Sequence, residues 1–86
     1  MANELPAITG EQLLKLLLAD GWEVHGRRTH GVAVVKHNPG GIPRRTIIPL
    51  KKRPLANTTL GAILGPKQSG IGRTGLVELI ARYGLK

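Results

Sequence analysis

The spacing of hydrophobic residues is helical at the start of the chain, alternating in the middle and helical again at the end. Leu13, Leu16 and Leu17 form an apolar stripe at helical spacing. Thr9 begins an S/T-x-x-E/Q capping box just before this stripe, which predicts that the first helix starts there. Gly21 is expected to end the helix, because glycine readily adopts the backbone conformation that follows a helix C-terminus.

A period of two then replaces the helical period. We predict a short strand over residues 22–25, a tight basic turn over 26–28, a longer strand over 29–37 and a third strand over 44–50. Residues 38–41 read Asn-Pro-Gly-Gly and are expected to form a loop. Strands joined by such short connections predict an antiparallel three-stranded meander, since parallel pairing would need long crossovers.

Two further helices are predicted after the sheet. The second helix is expected to begin at a cap formed by Thr58 or Thr59 and to end at Gly65. Its predicted apolar residues are Leu60, Ile63 and Leu64. A glycine-rich loop over 65–73 leads to a last helix from about residue 74. The predicted order α-β-β-β-α-α is an α+β fold, with an antiparallel three-stranded sheet and helices on one side, and residues 1–86 form a single domain. The apolar face of the last helix is predicted to be Leu76, Leu79, Ile80 and Tyr83.

Residues 32–35 are apolar on both faces of the predicted second strand. One face is expected to meet the helices. The other is either covered by the last helix or exposed as a docking surface for a partner or a second copy of the chain.

The distribution of charge predicts the class of partner. The chain has a formal net charge of +8, and all five acidic residues lie outside residues 24–77. Basic residues in that segment have no acidic neighbours in sequence, which favours a polyanionic partner. They fall on predicted strands and loops rather than on one helix face, which favours nucleic acid over a membrane surface. The candidate RNA-binding residues are Arg27, Arg28, Lys36, Arg44, Arg45, Lys51, Lys52 and Arg53.

Several other classes of function are not supported by the motifs. Residues 70–75 spell G-x-G-x-x-G but follow a predicted loop, and too few residues remain to build a βαβ unit. His25, His30 and His37 are spaced five and seven residues apart on two predicted strands, so we expect no metal site and no cofactor. Trp22 and Tyr83 are the only aromatic residues, too few for base-stacking platforms, and Trp22 is expected in the core.

The sequence contains no cysteine and no apolar run long enough to cross a membrane, and we expect no signal peptide. We therefore expect a cytoplasmic protein. The absence of cysteine also excludes disulfides and fits a reducing compartment.

A series of short motifs around His30 resembles a known family. The series covers about residues 9–71, between an N-terminal arm (1–8) and an additional C-terminal helix (72–86). It is similar to HicA toxins, which are small endoribonucleases (mRNA interferases) with a fold like the double-stranded-RNA-binding domain. The motifs are Gly21-Trp22, Thr29-His30, Thr46-Ile47-Ile48-Pro49, Leu55 and Thr59-Leu60-Gly61-Ala62-Ile63-Leu64.

The resemblance implies that His30 is the catalytic residue, that mRNA is cleaved without a metal ion, and that a HicB-type antitoxin is the protein partner. The family usually has Gly-Ser-His-His where this chain has Arg28-Thr29-His30-Gly31. The chemistry is compatible with these residues, because RNA carries its own 2′-hydroxyl nucleophile. One histidine can act as the base while arginines stabilise the charged intermediate, and Arg27 and Arg28 are the candidates for that role.

Two other functions stay open at this point. The chain could be a non-catalytic RNA- or DNA-binding module on the same scaffold, or a basic structural component of a ribonucleoprotein. Spacing alone favours His30 as a surface histidine that makes hydrogen bonds, and the resemblance to HicA favours catalysis.

Overall fold

The chain folds as one helix, three antiparallel strands and two further helices, which confirms the predicted α+β layout. The computed structural model describes residues 7–37, 40–50 and 52–85. The three strands form one sheet in the order β1-β2-β3. In chain order the elements are α1 (Gly10–Ala19), β1 (Glu23–Arg28), β2 (Gly31–Lys36), β3 (Arg44–Ile48), α2 (Asn57–Leu64) and α3 (Gly72–Tyr83).

The first helix begins and ends as the sequence predicts. The Oγ1 atom of Thr9 accepts a hydrogen bond from the backbone N–H of Gln12 at 3.1 Å, and the Oε1 atom of Gln12 accepts one from the N–H of Thr9 at 3.0 Å. Both halves of the capping box are therefore present. Gly21 has a φ of +100° just beyond the helix, where the chain turns toward β1.

A single hydrophobic core lies between the three helices and one face of the sheet. The predicted apolar stripes of all three helices contribute to it, and Trp22 is buried in it as expected. Because α3 contacts both α1 and α2, it lies on the same side of the sheet as those helices. The buried core residues are Ile8, Leu13, Leu16, Leu17, Trp22, Val32, Val34, Ile48, Leu60, Ile63, Leu64, Leu76 and Leu79.

The opposite face of β2 carries Ala33 and Val35, which are buried but lie outside this core. Since α3 lies on the core side, it does not cover this face. In β3, Ile47 pairs with Ala33 and Arg45 pairs with Val35. Side chains of paired residues stand next to each other on the same face, so neighbouring strands shield the centre of this face.

The first hairpin differs from its predicted boundaries. Residues 26–28 were predicted as a turn, but they belong to β1, and the turn consists of Thr29 and His30. A register shift leaves His25 as a bulge in β1, and the bulge lets the strand continue through Gly26. His30 therefore lies in the turn and not inside a strand.

The third strand is shorter than predicted, because it ends at Ile48 and not at Leu50. Its partner β2 begins at Gly31, which leaves Leu50 without a residue to pair with. Thr46 and Ile48 face the core, whereas Leu50 is 43% exposed.

The last two helices begin earlier than predicted. The residue before α2 is Ala56, which makes no side-chain capping hydrogen bond, so the predicted caps Thr58 and Thr59 lie inside the first turn of the helix. The backbone N–H of Leu55 donates to the carbonyl oxygen of Ile8 at 2.8 Å, and this tertiary contact fixes the chain just before the helix. The last helix starts at Gly72 rather than near residue 74. None of the helices in the described ranges has the length and apolar character needed to cross a membrane.

The backbone at Ile48 and Pro49 lies between two glycines. A Cβ atom built on Gly10 would be 1.7 Å from the carbonyl oxygen of Pro49. A Cβ atom on Gly31 would be 2.2 Å from the carbonyl oxygen of Ile48. No side chain fits at such distances, so both positions require glycine. This contact joins the start of α1, the start of β2 and the end of β3.

We predict that Gly10→Ala lowers the free energy of unfolding by about 3 kcal/mol, because the added methyl group must displace backbone atoms of Pro49. Gly61 is the matched control, since a Cβ atom there meets nothing within 4 Å. Gly61→Ala in α2 should instead raise the free energy of unfolding by roughly 0.5–1 kcal/mol. Urea denaturation followed by circular dichroism measures both changes, and equal stabilities of the two variants would contradict the packing described for Gly10.

Candidate nucleic-acid interface

His30 lines an open cavity of about 290 Å³ at the β1–β2 turn. The hairpin brings the predicted catalytic histidine to the same cavity as two of the predicted RNA-binding arginines. The residues that line it are Arg27, Arg28, Thr29, His30, Gly31, Val32 and Leu50.

The register of the hairpin places the two arginines at the end of β1, directly before the turn. Arg27 pairs with Val32, which faces the core, and Arg28 pairs with Gly31 at the end of the strand. Successive residues of a strand point to opposite faces, so Arg27 and Arg28 stand on opposite faces of β1. A phosphate group beside His30 can therefore be approached by a guanidinium group from each face.

Both arginines are available to a ligand. Arg27 and Arg28 are exposed, and neither side chain makes a hydrogen bond or an ion pair with another described residue. Exposed guanidinium groups without a protein partner can donate paired hydrogen bonds to phosphate oxygens. The end of the sheet thus combines a histidine with two unpaired positive charges.

A second groove adjoins this cavity through Leu50, which lines both. The groove has a volume of about 430 Å³ and runs between α1 and the segment that follows β3. Lys52 lies at this groove, and both Lys52 and the next residue, Arg53, are exposed and unpaired among the residues that the structure describes. These two predicted RNA-binding residues therefore extend the positive surface from the His30 cavity.

Two other predicted RNA-binding residues are engaged within the protein. The Nζ atom of Lys36 lies 3.0 Å from the Oδ2 atom of Asp20, and Lys36 stands at the end of β2 opposite the turn. The guanidinium group of Arg44 donates a hydrogen bond to the carbonyl oxygen of Pro66. Both residues connect parts of the fold that are distant in sequence, so they do not belong to the His30 cavity.

The remaining two predicted residues are not part of this cavity either. Arg45 lines a different cavity, of about 650 Å³, between the edge of β3 and α2. Lys51 lies outside the described residues. Of the eight predicted RNA-binding residues, Arg27 and Arg28 line the His30 cavity, and Lys52 and Arg53 follow β3 beside it.

Sequence reasoning missed Gly31 and Leu50 as parts of the site. Leu50 continues the alternation of Thr46 and Ile48, so it reads as part of the third strand, which was predicted over 44–50. At position 31 the family pattern has a second histidine, but the carbonyl oxygen of Ile48 leaves no space for any side chain there. A glycine directly after the histidine is the only sign of this contact in the sequence.

The three histidines do not converge. His25 lies in the bulge of β1, His30 in the turn, and His37 just after the far end of β2. Within the described ranges, no group of three or more His, Cys, Asp or Glu residues is placed to hold a metal ion. The described lining of the His30 cavity also contains no carboxylate.

No family model, no curated protein and no solved structure matches the chain. The geometry around His30 and the placement of the unpaired cations are therefore the structural basis for assigning a function.

We predict that Arg44→Ala lowers the free energy of unfolding by about 1 kcal/mol, because the hydrogen bond that holds the 65–70 loop to β3 is lost. Lys67 is the control, since it is an exposed cation in the same loop that has no ion pair or hydrogen bond to another described residue. Lys67→Ala should change stability by less than about 0.5 kcal/mol. Thermal unfolding of the two variants measures the difference, and an Arg44→Ala variant as stable as the wild type would contradict this structural role.

Proposed function

We propose that this protein binds RNA and cleaves it as a metal-independent endoribonuclease of the HicA type. The observation that carries the proposal is an exposed histidine in a two-residue turn, in one cavity with two arginines that have no partner among the described residues. The resemblance of the motif order to HicA toxins assigns the same histidine.

RNA binding begins with the phosphate backbone. Arg27 and Arg28 lie at the end of β1, directly before the turn. Lys52 lies at the adjoining groove, and the exposed Arg53 follows it in the chain. Contacts of this kind release counterions from the nucleic acid and supply affinity without sequence preference. They also hold a phosphodiester beside His30, which is the positioning that intramolecular cleavage needs.

Cleavage uses the nucleophile that RNA itself carries. Neutral His30 takes the proton from a 2′-hydroxyl group, and the 2′-oxygen attacks the adjacent phosphorus. Arg27 and Arg28 stabilise the negative charge that develops on the phosphorane oxygens. The bond from phosphorus to the 5′-oxygen then breaks, and the leaving oxygen takes a proton from the His30 imidazolium or from water. The products are a 2′,3′-cyclic phosphate and a 5′-hydroxyl end, and DNA is not cleaved because it lacks the 2′-hydroxyl.

The proposal includes mRNA as the substrate, a HicB-type antitoxin as the protein that keeps the nuclease inactive, and a cytoplasmic location. These parts rest on the resemblance to HicA toxins. The open His30 cavity is compatible with inhibition by a protein partner, because a partner that covered the turn would exclude RNA from the histidine and both arginines together.

A non-catalytic RNA-binding module is the second candidate, and one observation favours it. His30 is the only side chain in the described lining of the cavity that commonly acts as a general acid or base. A single histidine would have to remove one proton and return another. A protein that only binds RNA would need the cations alone.

Replacing His30 tests catalysis directly. In buffer containing EDTA, we expect the wild type to cleave RNA and His30→Ala to lose activity by at least about 100-fold, because the general base is removed. His25→Ala is the matched control, since His25 is also exposed on the same hairpin but lies outside the cavity. Gel electrophoresis of a labelled RNA, with mass spectrometry of the cyclic phosphate end, gives the readout. Intact RNA with the wild type would leave the binding module as the function.

The dependence of affinity on salt tests the phosphate contacts. If about six phosphates are contacted, the slope of log K against log [salt] on a duplex should be about −5. Arg28→Ala should make this slope less negative by about 1, whereas Arg82→Ala, at the end of α3, should leave it unchanged. Fluorescence anisotropy with a 2′-O-methylated RNA duplex measures binding without cleavage. A flat salt response would contradict both candidate functions.

A further inference from the structure

We propose that the free edge of β3 is a docking site where an extended acidic segment of a partner protein adds to the sheet as a fourth strand. This site is separate from the His30 cavity and does not depend on the function proposed for it. Main-chain hydrogen bonds supply affinity in this mode of recognition, and side-chain pockets along the edge supply selectivity.

The backbone of β3 offers hydrogen-bonding groups along that edge. The sheet order is β1-β2-β3, so β3 pairs with β2 on one side only. Arg28 and Gly31 are the pair that closes the two-residue turn, so the N–H and C=O groups of Gly31 point toward β1. Those of the next residue, Val32, point the other way, toward Ile48 in β3. By the same alternation, the N–H and C=O groups of Arg45 and Ile47 point away from β2. They make no backbone hydrogen bond to a described residue outside the sheet.

The two edges of the sheet differ in how open they are. In β1 the bulge at His25 interrupts the register, and charged residues occupy both ends of the strand. Bulges and charges of this kind protect edge strands from pairing with other chains. In contrast, β3 keeps a regular register over all five of its pairs with β2, and its residue Ile47 is 42% exposed. The edge of β3 is therefore the one suited to strand addition.

A groove beside this edge has room for the side chains of an added strand. Its volume is about 650 Å³, and α2 forms the opposite wall with small residues, Thr58, Thr59 and Ala62. The end of the groove is built by a hydrogen bond of 2.6 Å from the Thr46 hydroxyl to the Oε1 atom of Gln68. The 65–70 loop that carries Gln68 is also held by hydrogen bonds to Arg44 and Ile63. The groove is thus a fixed part of the fold.

Charge decides which kind of strand the edge accepts. Arg45 lines the groove, and Lys67 lines an adjoining cavity together with Arg45. Neither cation has a hydrogen bond or an ion pair to another described residue, so an acidic side chain opposite Arg45 gains a charge partner. A second copy of the chain is disfavoured, because it carries a net charge of +8 and would bring its own Arg45 to the same edge. RNA is disfavoured as well, because phosphate oxygens accept hydrogen bonds and can pair only with the N–H groups of the edge. The carbonyl groups of the edge would be left without partners.

A synthetic strand tests the site without knowledge of the natural partner. The probe is a fluorescein-labelled ten-residue peptide of alternating glutamate and valine, and its control has the same side chains with alternate backbone nitrogens methylated. We expect the first peptide to bind and the methylated one to fail, because methylation removes the main-chain donors. Amide resonances of Arg45 and Ile47 should shift most in ¹⁵N NMR spectra. Equal binding of both peptides, or largest shifts at residues 29–31, would overturn the proposal.

Two variants and one control complete the experiment. Ile47→Pro should weaken binding at least about tenfold and leave the fold intact, because the lost N–H points away from β2 and proline is tolerated on such an edge. Arg45→Glu should also weaken binding about tenfold, whereas Arg82→Glu, which makes the same charge change on α3, should not. Three outcomes would each exclude an acidic partner strand. The first is a peptide affinity that Arg45→Glu leaves unchanged, and the second is that RNA shifts the amide resonances of Arg45 and Ile47 as much as those near His30. The third is a dimer, detected by light scattering, that Ile47→Pro abolishes.

Discussion

The close approach of three backbone segments around Ile48 and Pro49 organises this protein. Gly10 at the start of α1 and Gly31 at the start of β2 both meet backbone oxygens of this short segment at distances that leave no space for a side chain. The segment between β3 and α2 is also attached to the start of α1, because the backbone N–H of Leu55 donates to the carbonyl oxygen of Ile8. The position of the turn that carries His30 therefore depends on packing of backbone against backbone, and not on hydrogen bonds made by the histidine.

The basic residues divide into two groups with different roles. Lys36 and Arg44 connect elements that are far apart in sequence, the first to Asp20 and the second to Pro66. Arg27 and Arg28 have no such partner among the described residues and line the cavity at the turn. A net charge of +8 is therefore not spread evenly as a solvated surface. Part of it stabilises the fold, and another part is concentrated where the sheet ends.

The sheet presents two separate sites through one strand. The end of β3 leads into the His30 cavity through Leu50, while its free edge forms a groove with α2. The buried residues Ala33 and Val35 close the centre of the outer face. The cavity proposed to bind RNA and the groove proposed to bind a protein strand share no lining residue among the described residues, so the two proposed surfaces do not overlap.

The sequence by itself determined the number, order and type of the elements, the start of α1 at Thr9, and the core positions of all three helices. These features depend on local periodicity and capping, which act over a few residues. Tertiary structure decided the bulge at His25, the end of β3 at Ile48 and the partner of Lys36, because each depends on residues far away in the chain. For the site, the sequence identified His30, Arg27 and Arg28. It did not identify Leu50, since only the pairing of β3 with β2 shows that this residue lies beyond the sheet.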